Sequence, residues 1–167
     1  MNPCRCGMAG EPGHSCACGP RCMTDYQARI SGPLMDRIDI RIDVPAVSAF
    51  DLIRPMPAER SADIARRVAR AHGIQQARFE AAGSVGIGTN AKCSTAMIEK
   101  YAAPDSAGVQ LLRDAAEKMK FSARGYHRVL KVARTLADLD GNETVGRFHL
   151  AGAISYRIAG ERLTTAA

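Results

Sequence analysis

Residues 122–141, SARGYHRVLKVARTLADLDG, decide the fold of this chain. Within them, Leu130, Ala133 and Ala137 recur at three- and four-residue intervals, a period that predicts a helix with one apolar face. Ser122 supplies the type of side-chain oxygen that caps a helix N-terminus, and Gly141 is the residue type that ends helices in a left-handed conformation. The stretch therefore predicts a complete helix with a defined start and end.

Comparable signals predict further helices on both sides of this one. A helix capped by Ser94 is predicted to run through Tyr101. Another begins at Asp105 or Ser106, with Val109, Leu112, Ala116 and Met119 on its inner face. A last helix spans about residues 147–162 with a periodic apolar face. Because the connections between these helices are short, we expect a compact, antiparallel helical bundle.

The part of the chain before the bundle is less regular. Residues 59–82 have a helical period and predict a long connecting helix, with one face formed by Ile64, Val68, Ala71, Ile74, Gln75 and Phe79. Residues 46–58 lie among prolines and are predicted to be a linker. Residues 38–44, IDIRIDV, alternate apolar and charged side chains and predict a half-buried strand, although one strand is not stable alone.

The composition excludes several classes of protein. With 46% hydrophobic and 24% charged residues, the 167-residue chain is not disordered throughout. It has no run of about 18 apolar residues and no signal peptide at its N-terminus, so we expect a cytoplasmic protein with no membrane partner. A formal net charge of +6 permits a phosphate-bearing partner.

Cysteines are concentrated at the N-terminus, where five of the six lie within the first 22 residues. They include two Cys-x-Cys pairs, and side chains two residues apart in an extended segment lie on the same side, where they can share a metal. Four thiolates suit a closed structural zinc site, while an iron–sulfur centre or metal-free thiols are the alternatives. The leading ligands are Cys4, Cys6 and Cys16, with Cys18 or Cys22 as the fourth and His14 in reserve.

A second feature is Arg37, which lies between Asp36 and Asp39 just before the predicted strand. An arginine flanked by aspartates is usually part of a solvated ion pair that contributes little to stability. Its position after a Gly-Pro turn would also allow the guanidinium to reach a phosphate across a subunit boundary. The residues alone leave both interpretations open.

A third feature is the absence of acidic residues between Lys120 and Arg134. In this stretch Arg124, Arg128 and Lys131 fall at helical spacing on one face. Like charges at that spacing repel each other, so an anionic partner such as nucleic acid would explain them, and a solvated face is the alternative. The candidate nucleic-acid contacts are Arg128, Lys131 and Arg134.

Three motifs resemble the C-terminal part of the magnesium-chelatase-like AAA+ ATPases, most closely the competence-associated ComM-type branch. They are Asn2-Pro3-Cys4, then RISGPLMDRID at residues 29–39, and the stretch from Ser122 to Leu139. The resemblance implies a mainly α fold: a small lid-type helical bundle, preceded by a long connecting helix and a truncated, poorly ordered edge of an α/β core. The corresponding segments are residues 94–167 for the lid, 46–93 for the linker and connecting helix, and 1–45 for the edge with its cysteines.

The resemblance also implies roles for individual residues. Asn2 falls at the sensor-1 position, which orients the attacking water, and Arg37 falls at the arginine finger, which acts on a neighbouring subunit's ATP. Arg124 falls at the sensor-2 position, which reaches from the lid to the γ-phosphate. The implied cofactor is Mg-ATP, beside the structural zinc that the cysteines suggest.

Neither a Walker A motif, G-x-x-x-x-G-K-[ST], nor a Walker B acidic pair occurs in the sequence. We therefore expect the chain to be an inactive, monomeric fragment of a ring-forming ATPase, with an upstream AAA+ core and DNA as partners. The implied activity is ATP hydrolysis coupled to helicase-like DNA remodelling. The alternatives are magnesium insertion into a porphyrin and a free-standing, zinc-dependent nucleic-acid-binding module.

Overall fold

The computed structural model describes residues 2, 4–9, 15–19, 21–44, 47, 53, 59–84 and 86–158. The chain divides into two compact units. The N-terminal unit comprises Met1–Met56 with Tyr156–Ala167, and the helical unit comprises Pro57–Ser155. Among the described residues, the helices lack the combination of length and apolarity that crossing a membrane requires.

The described part of the chain is mainly helical, as the sequence predicts. Helices α1 (Cys22–Gln27) and α2 (Gly32–Met35) are short and precede the long helix α3 (Ser61–Ala81). A single 3-10 turn (Asn90–Lys92) then leads into the bundle. The bundle helices are α4 (Thr95–Tyr101), α5 (Ser106–Met119), α6 (Ala123–Asp140) and α7 (Arg147–Ile158).

The predicted helix ends are confirmed by the capping geometry. Ser94 Oγ accepts a hydrogen bond from the Met97 N–H at the start of α4, and Ser122 Oγ accepts one from the Gly125 N–H at 3.1 Å in α6. Gly141 ends α6 with a φ of 77°, a left-handed conformation that glycine adopts without a Cβ clash. Each of these ends is set by residues within one turn of it.

Helix α6 forms the centre of the helical unit and contacts both α3 and α4. Its apolar face buries Leu130, Ala133 and Ala137, as the helical period predicts, and it also buries Val129. The other helices supply the opposing apolar side chains, chiefly Phe79, Ile98, Leu112, Leu150 and Ile154.

Two details of the predicted apolar faces are wrong. Ile64 and Val68 each remain 41% exposed, because α3 packs through the buried residues Ala71, Gln75 and Phe79 of its C-terminal half. The N-terminal half of α3 therefore extends beyond the part of the helix that is packed. In α5, Val109 is likewise half-exposed, whereas Leu112 is buried.

The predicted strand at residues 38–44 is not formed. These residues are not paired in a β-ladder, and Ile40, Ile42 and Val44 are between 50% and 86% exposed. A strand needs neighbouring strands to satisfy its backbone groups. In the part of the chain that the structure describes, the β-pairing consists of an isolated bridge between Pro104 and Val145.

Some predictions fall outside the described residues. Most of the linker at 46–58 lies there, as does the predicted extension of the last helix from residue 159 to Arg162. The reserve metal ligand His14 also lies outside them.

Candidate functional site

The N-terminal cysteines come together as their spacing predicts. Cys6 Sγ lies 3.2 Å from Cys4 Sγ and 3.5 Å from Cys16 Sγ. Cys4, Cys6 and Cys16 form one group with sulfurs within 4.8 Å of each other, and Cys16, Cys18 and Cys22 form a second. All are free thiols, and Cys16 belongs to both groups. We call these five residues the thiol cluster.

Tight turns follow the two Cys-x-Cys pairs of the thiol cluster. Gly7, next after Cys6, has a φ of +84°, and Gly19, next after Cys18, has a φ of +93°. These left-handed conformations favour glycine, because a Cβ would be strained there. The first turn also brings the Ala9 N–H to 3.3 Å from Cys4 Sγ.

The close packing gives the thiols of the cluster different pKa values. A hydrogen bond from the Met8 backbone, together with bonds from neighbouring thiols, lowers the pKa of Cys6 to about 7. The Cys18 backbone N–H lowers the pKa of Cys16, but desolvation and the adjacent thiols outweigh it and raise that pKa to about 12. Hydrogen bonds with Cys6 and Cys22 raise the pKa of Cys18. One thiol therefore ionises most readily, and its charge disfavours ionisation of its neighbours.

Arg37 lies in the turn after α2 and is exposed. The turn is held from both sides within the N-terminal unit. Asp36 Oδ1 accepts a hydrogen bond from Arg157 Nη2 at 2.8 Å, and Arg41 Nη2 donates one to the Met35 carbonyl at 2.7 Å. The backbone that carries Arg37 is thus anchored by its neighbours. Asn2, the other predicted residue of this unit, is also exposed.

Arg124 occupies the second position of α6 and is exposed. A cation in the first turn of a helix is opposed by the positive end of the helix dipole. An anion beside this turn would be stabilised by both the guanidinium and the helix end.

The remaining basic residues of α6 have different environments. Arg128 is half-buried. Lys131 Nζ donates hydrogen bonds to the carbonyls of Ala91 (2.9 Å) and Cys93 (2.8 Å), so it ties α6 to the 3-10 turn. Two of the ammonium donors are thus bonded within the protein, and the side chain is half-buried.

The assignment of Arg134 to a nucleic-acid-binding surface is wrong. Arg134 is fully buried, and its Nε donates to Asp138 Oδ1 at 3.0 Å. Its other nitrogens donate to the carbonyls of Asn142 and Glu143 just beyond the helix. Desolvation lowers the pKa of Arg134, and the adjacent Asp138 carboxylate opposes that shift. The side chain is a structural tie between α6 and the following loop.

The carboxylate of Asp138 is the centre of a buried polar network that the sequence analysis missed. Arg78 from α3 donates to Asp138 Oδ2 at 3.1 Å, and Asn90 Nδ2 donates to the same oxygen at 2.8 Å. Gln75 Oε1 in turn accepts from the Asn90 N–H at 3.1 Å. The available signal was the four-residue spacing, which places Arg134 one turn after the apolar Leu130 and Asp138 one turn after Arg134, on the face of α6 that packs inward.

Two family models match consecutive parts of the chain. The model for the magnesium chelatase subunit ChlI C-terminal region matches residues 58–157, and that for the magnesium chelatase subunit ChlI matches residues 1–52. The boundary between them falls between residues 52 and 58, close to the boundary between the two structural units.

Curated relatives agree with these matches. Competence protein ComM of Haemophilus influenzae is 35% identical over 139 residues, covering 83% of this chain and 26% of the relative. The uncharacterized protein Rv2897c of Mycobacterium tuberculosis is 34% identical over 161 residues, covering 96% of this chain and 31% of the relative. The uncharacterized protein YifB of Salmonella typhimurium is 32% identical over 158 residues, covering 94% and 29%. The chain thus spans less than a third of the length of these relatives.

Proposed function

The chain belongs to the magnesium chelatase subunit ChlI family, and from this membership we propose that it completes the nucleotide site of an AAA+ ATPase. In this proposal Arg37 is the arginine finger offered to a neighbouring subunit's ATP, and Arg124 is the sensor-2 arginine of the lid. Asn2 orients the attacking water. Mg-ATP is bound by an AAA+ core of the full-length ATPase that contains this chain.

The observation that carries the proposal is the placement of Arg124. It is exposed in the first turn of α6, where the helix dipole disfavours a cation, while Lys131 and Arg134 of the same helix are bonded to protein carbonyls. A γ-phosphate near this turn would remove the unfavourable interaction and form charge-assisted hydrogen bonds with the guanidinium. The Ser122 cap fixes the direction of the turn.

Arg37 fits the second role for a similar reason. Its side chain is exposed, and the turn that bears it is anchored by the Asp36–Arg157 ion pair and by the hydrogen bond from Arg41 to Met35. Transition-state charge is stabilised best by groups that are already in position, because no energy is then spent on reorganisation. An arginine finger typically raises the rate of phosphoryl transfer by about 10³–10⁵-fold.

The test is a pair of substitutions in the full-length ATPase. Arg37→Ala is expected to lower kcat by about 10³-fold or more with nucleotide affinity retained, since the contact matters mainly in the transition state. Arg124→Ala is expected to weaken ATP binding as well, because the sensor-2 contact also forms in the ground state. Arg37→Lys should not restore full activity, because an ammonium group cannot reproduce the planar fork. The exposed arginine Arg113, which pairs with Glu117 on the surface of α5, gives the control substitution Arg113→Ala with normal turnover.

Mixed assemblies test whether Arg37 acts across a subunit boundary. Arg37→Ala subunits combined with subunits that lack a working Walker A motif should recover part of the activity, because each defect then lies in a different half of a shared site. Normal ATP hydrolysis by the Arg37→Ala protein would overturn the finger assignment.

The proposed output of the motor is remodelling of DNA. The name of the Haemophilus influenzae relative, competence protein, supports this choice, and the exposed Arg124 is compatible with a polyanionic partner as well as with nucleotide. The family description favours one alternative, magnesium insertion into a porphyrin. ATPase activity that rises on addition of DNA supports the first, and activity that rises only with a porphyrin substrate supports the second.

A further inference from the structure

We propose that Cys4, Cys6, Cys16 and Cys18 bind one structural Zn²⁺ ion as thiolates, with Cys22 outside the ligand set. The ion would hold together the first part of the N-terminal unit. This inference does not depend on the ATPase proposal.

The sulfur positions match the dimensions of a zinc–thiolate site. With Zn–S bonds of about 2.3 Å, the sulfurs of a tetrahedral site are separated by about 3.8 Å. Cys6 Sγ lies 3.2 Å from Cys4 Sγ and 3.5 Å from Cys16 Sγ, and the three sulfurs lie within 4.8 Å of one another. The fourth proposed sulfur, Cys18 Sγ, lies within 4.8 Å of Cys16 Sγ, the thiol that both groups share.

The choice of Cys18 over Cys22 follows from a repeated backbone pattern. Cys4-Arg5-Cys6-Gly7 and Cys16-Ala17-Cys18-Gly19 have the same Cys-x-Cys-Gly sequence, and both glycines are left-handed. Each pair is therefore followed by the same kind of turn, so that each presents two thiols. Cys6 Sγ and Cys16 Sγ, which are 3.5 Å apart, join the two pairs. Cys22 instead begins α1 and lies outside the repeat.

Groups around the thiol cluster are suited to a negatively charged centre. Four thiolates and one Zn²⁺ ion carry a net charge of −2, which backbone N–H donors can stabilise. The Ala9 N–H donates to Cys4 Sγ, and the Met8 backbone hydrogen-bonds with Cys6. A hollow of about 340 Å³ beside Cys18 and Cys22 is lined by Arg5, Arg21 and Asp25, so the charged side chains there carry a net positive charge.

The surroundings also explain why a metal is needed. Among the described residues up to Val44, Cys4 is the buried apolar side chain, so hydrophobic packing contributes little to their order. Metal binding can supply the missing free energy of folding, as it does in other small domains. Binding exchanges four S–H protons for one Zn²⁺ ion, and no oxidation or reduction takes place.

The test uses the 167-residue chain, purified without chelator and analysed for bound metals. One zinc per chain is expected, and the four ligand cysteines should be protected from alkylation until a chelator removes the metal. Cobalt(II) added to the metal-free chain should give the visible bands of a tetrahedral thiolate complex. Protein without metal and with freely alkylated cysteines would overturn the proposal, and so would stoichiometric iron with an iron–sulfur absorption spectrum.

Matched serine substitutions test the ligand set. Cys6→Ser and Cys18→Ser should each lose most of the bound zinc when a competing chelator is present. Cys22→Ser and Cys93→Ser should keep one zinc per chain, the latter because Cys93 is a buried residue of the helical unit. Retention of zinc by Cys18→Ser together with its loss from Cys22→Ser would overturn the assigned set. A chain that folds poorly can still be judged by the cobalt spectrum, whose bands count the thiolates that remain.

Discussion

Replacing Asp138 by alanine removes the acceptor on which three side chains converge. Arg134 donates to it from one turn earlier in α6, Arg78 donates from α3, and Asn90 donates from the 3-10 turn. Asp138 and Arg134 are both fully buried, and Arg78 is largely so. The substitution would therefore leave Arg134 as a buried charge without its carboxylate.

The expected loss of stability is large compared with that of a typical surface substitution. Removing one partner of a buried ion pair costs about 3–5 kcal/mol, because the remaining charge cannot return to water. Domains of this size are stable by only about 5–15 kcal/mol. For a unit of about 100 residues, each 1 kcal/mol lowers Tm by about 4–8 °C, so Tm should fall by tens of degrees.

Thermal and urea unfolding followed by circular dichroism would measure this effect. The matched control is Asp114→Ala, since Asp114 is an exposed aspartate whose partner is Gln110 on the same helix. This control should change the free energy of unfolding by no more than about 0.5 kcal/mol. The double variant Asp138→Ala/Arg134→Met should be more stable than the sum of the single losses predicts, because the fully buried Arg134 charge is removed together with its carboxylate. If Asp138→Ala unfolded at the same temperature as Asp114→Ala, the buried network would not be stabilising the bundle.

Two further predictions concern packing and capping. Gly108→Ala is expected to destabilise the chain by about 1–3 kcal/mol, because the added Cβ would lie 2.7 Å from Leu150 Cδ1. The control Gly73→Ala should instead raise Tm by up to several degrees, because the added Cβ lies in open space on a helix. Ser122→Ala should cost about 1 kcal/mol in urea unfolding, because the Gly125 N–H loses its acceptor at 3.1 Å. Ser122→Asp, which keeps an acceptor at the cap, should restore most of that loss, and an equal loss from both substitutions would show that the cap bond is not responsible.

The sequence was sufficient to predict that the N-terminal cysteines form a cluster. The two Cys-x-Cys pairs predicted sulfurs close enough to share a metal, and the structure brings these sulfurs together, although in glycine-containing turns rather than in an extended segment. The strand at residues 38–44 shows the opposite case. Its alternating pattern describes which side chains a sheet would bury, but a strand exists only when other strands pair with its backbone.

The ends of the helices depend on residues that are close in sequence, whereas the burial of charges depends on residues that are far apart in sequence. Ser94, Ser122 and Gly141 determine where helices start and end, because a cap is a bond between residues within one turn, and the sequence alone fixes that spacing. Which charges of α6 are buried was decided only by the tertiary structure. Arg78 and Asn90 lie 60 and 48 residues from Asp138, so the network that encloses Arg134 exists only after α3 and the 3-10 turn pack against α6. The sequence shows where the basic residues of α6 are, but only packing determines whether each of their charges faces water, a carboxylate or a ligand.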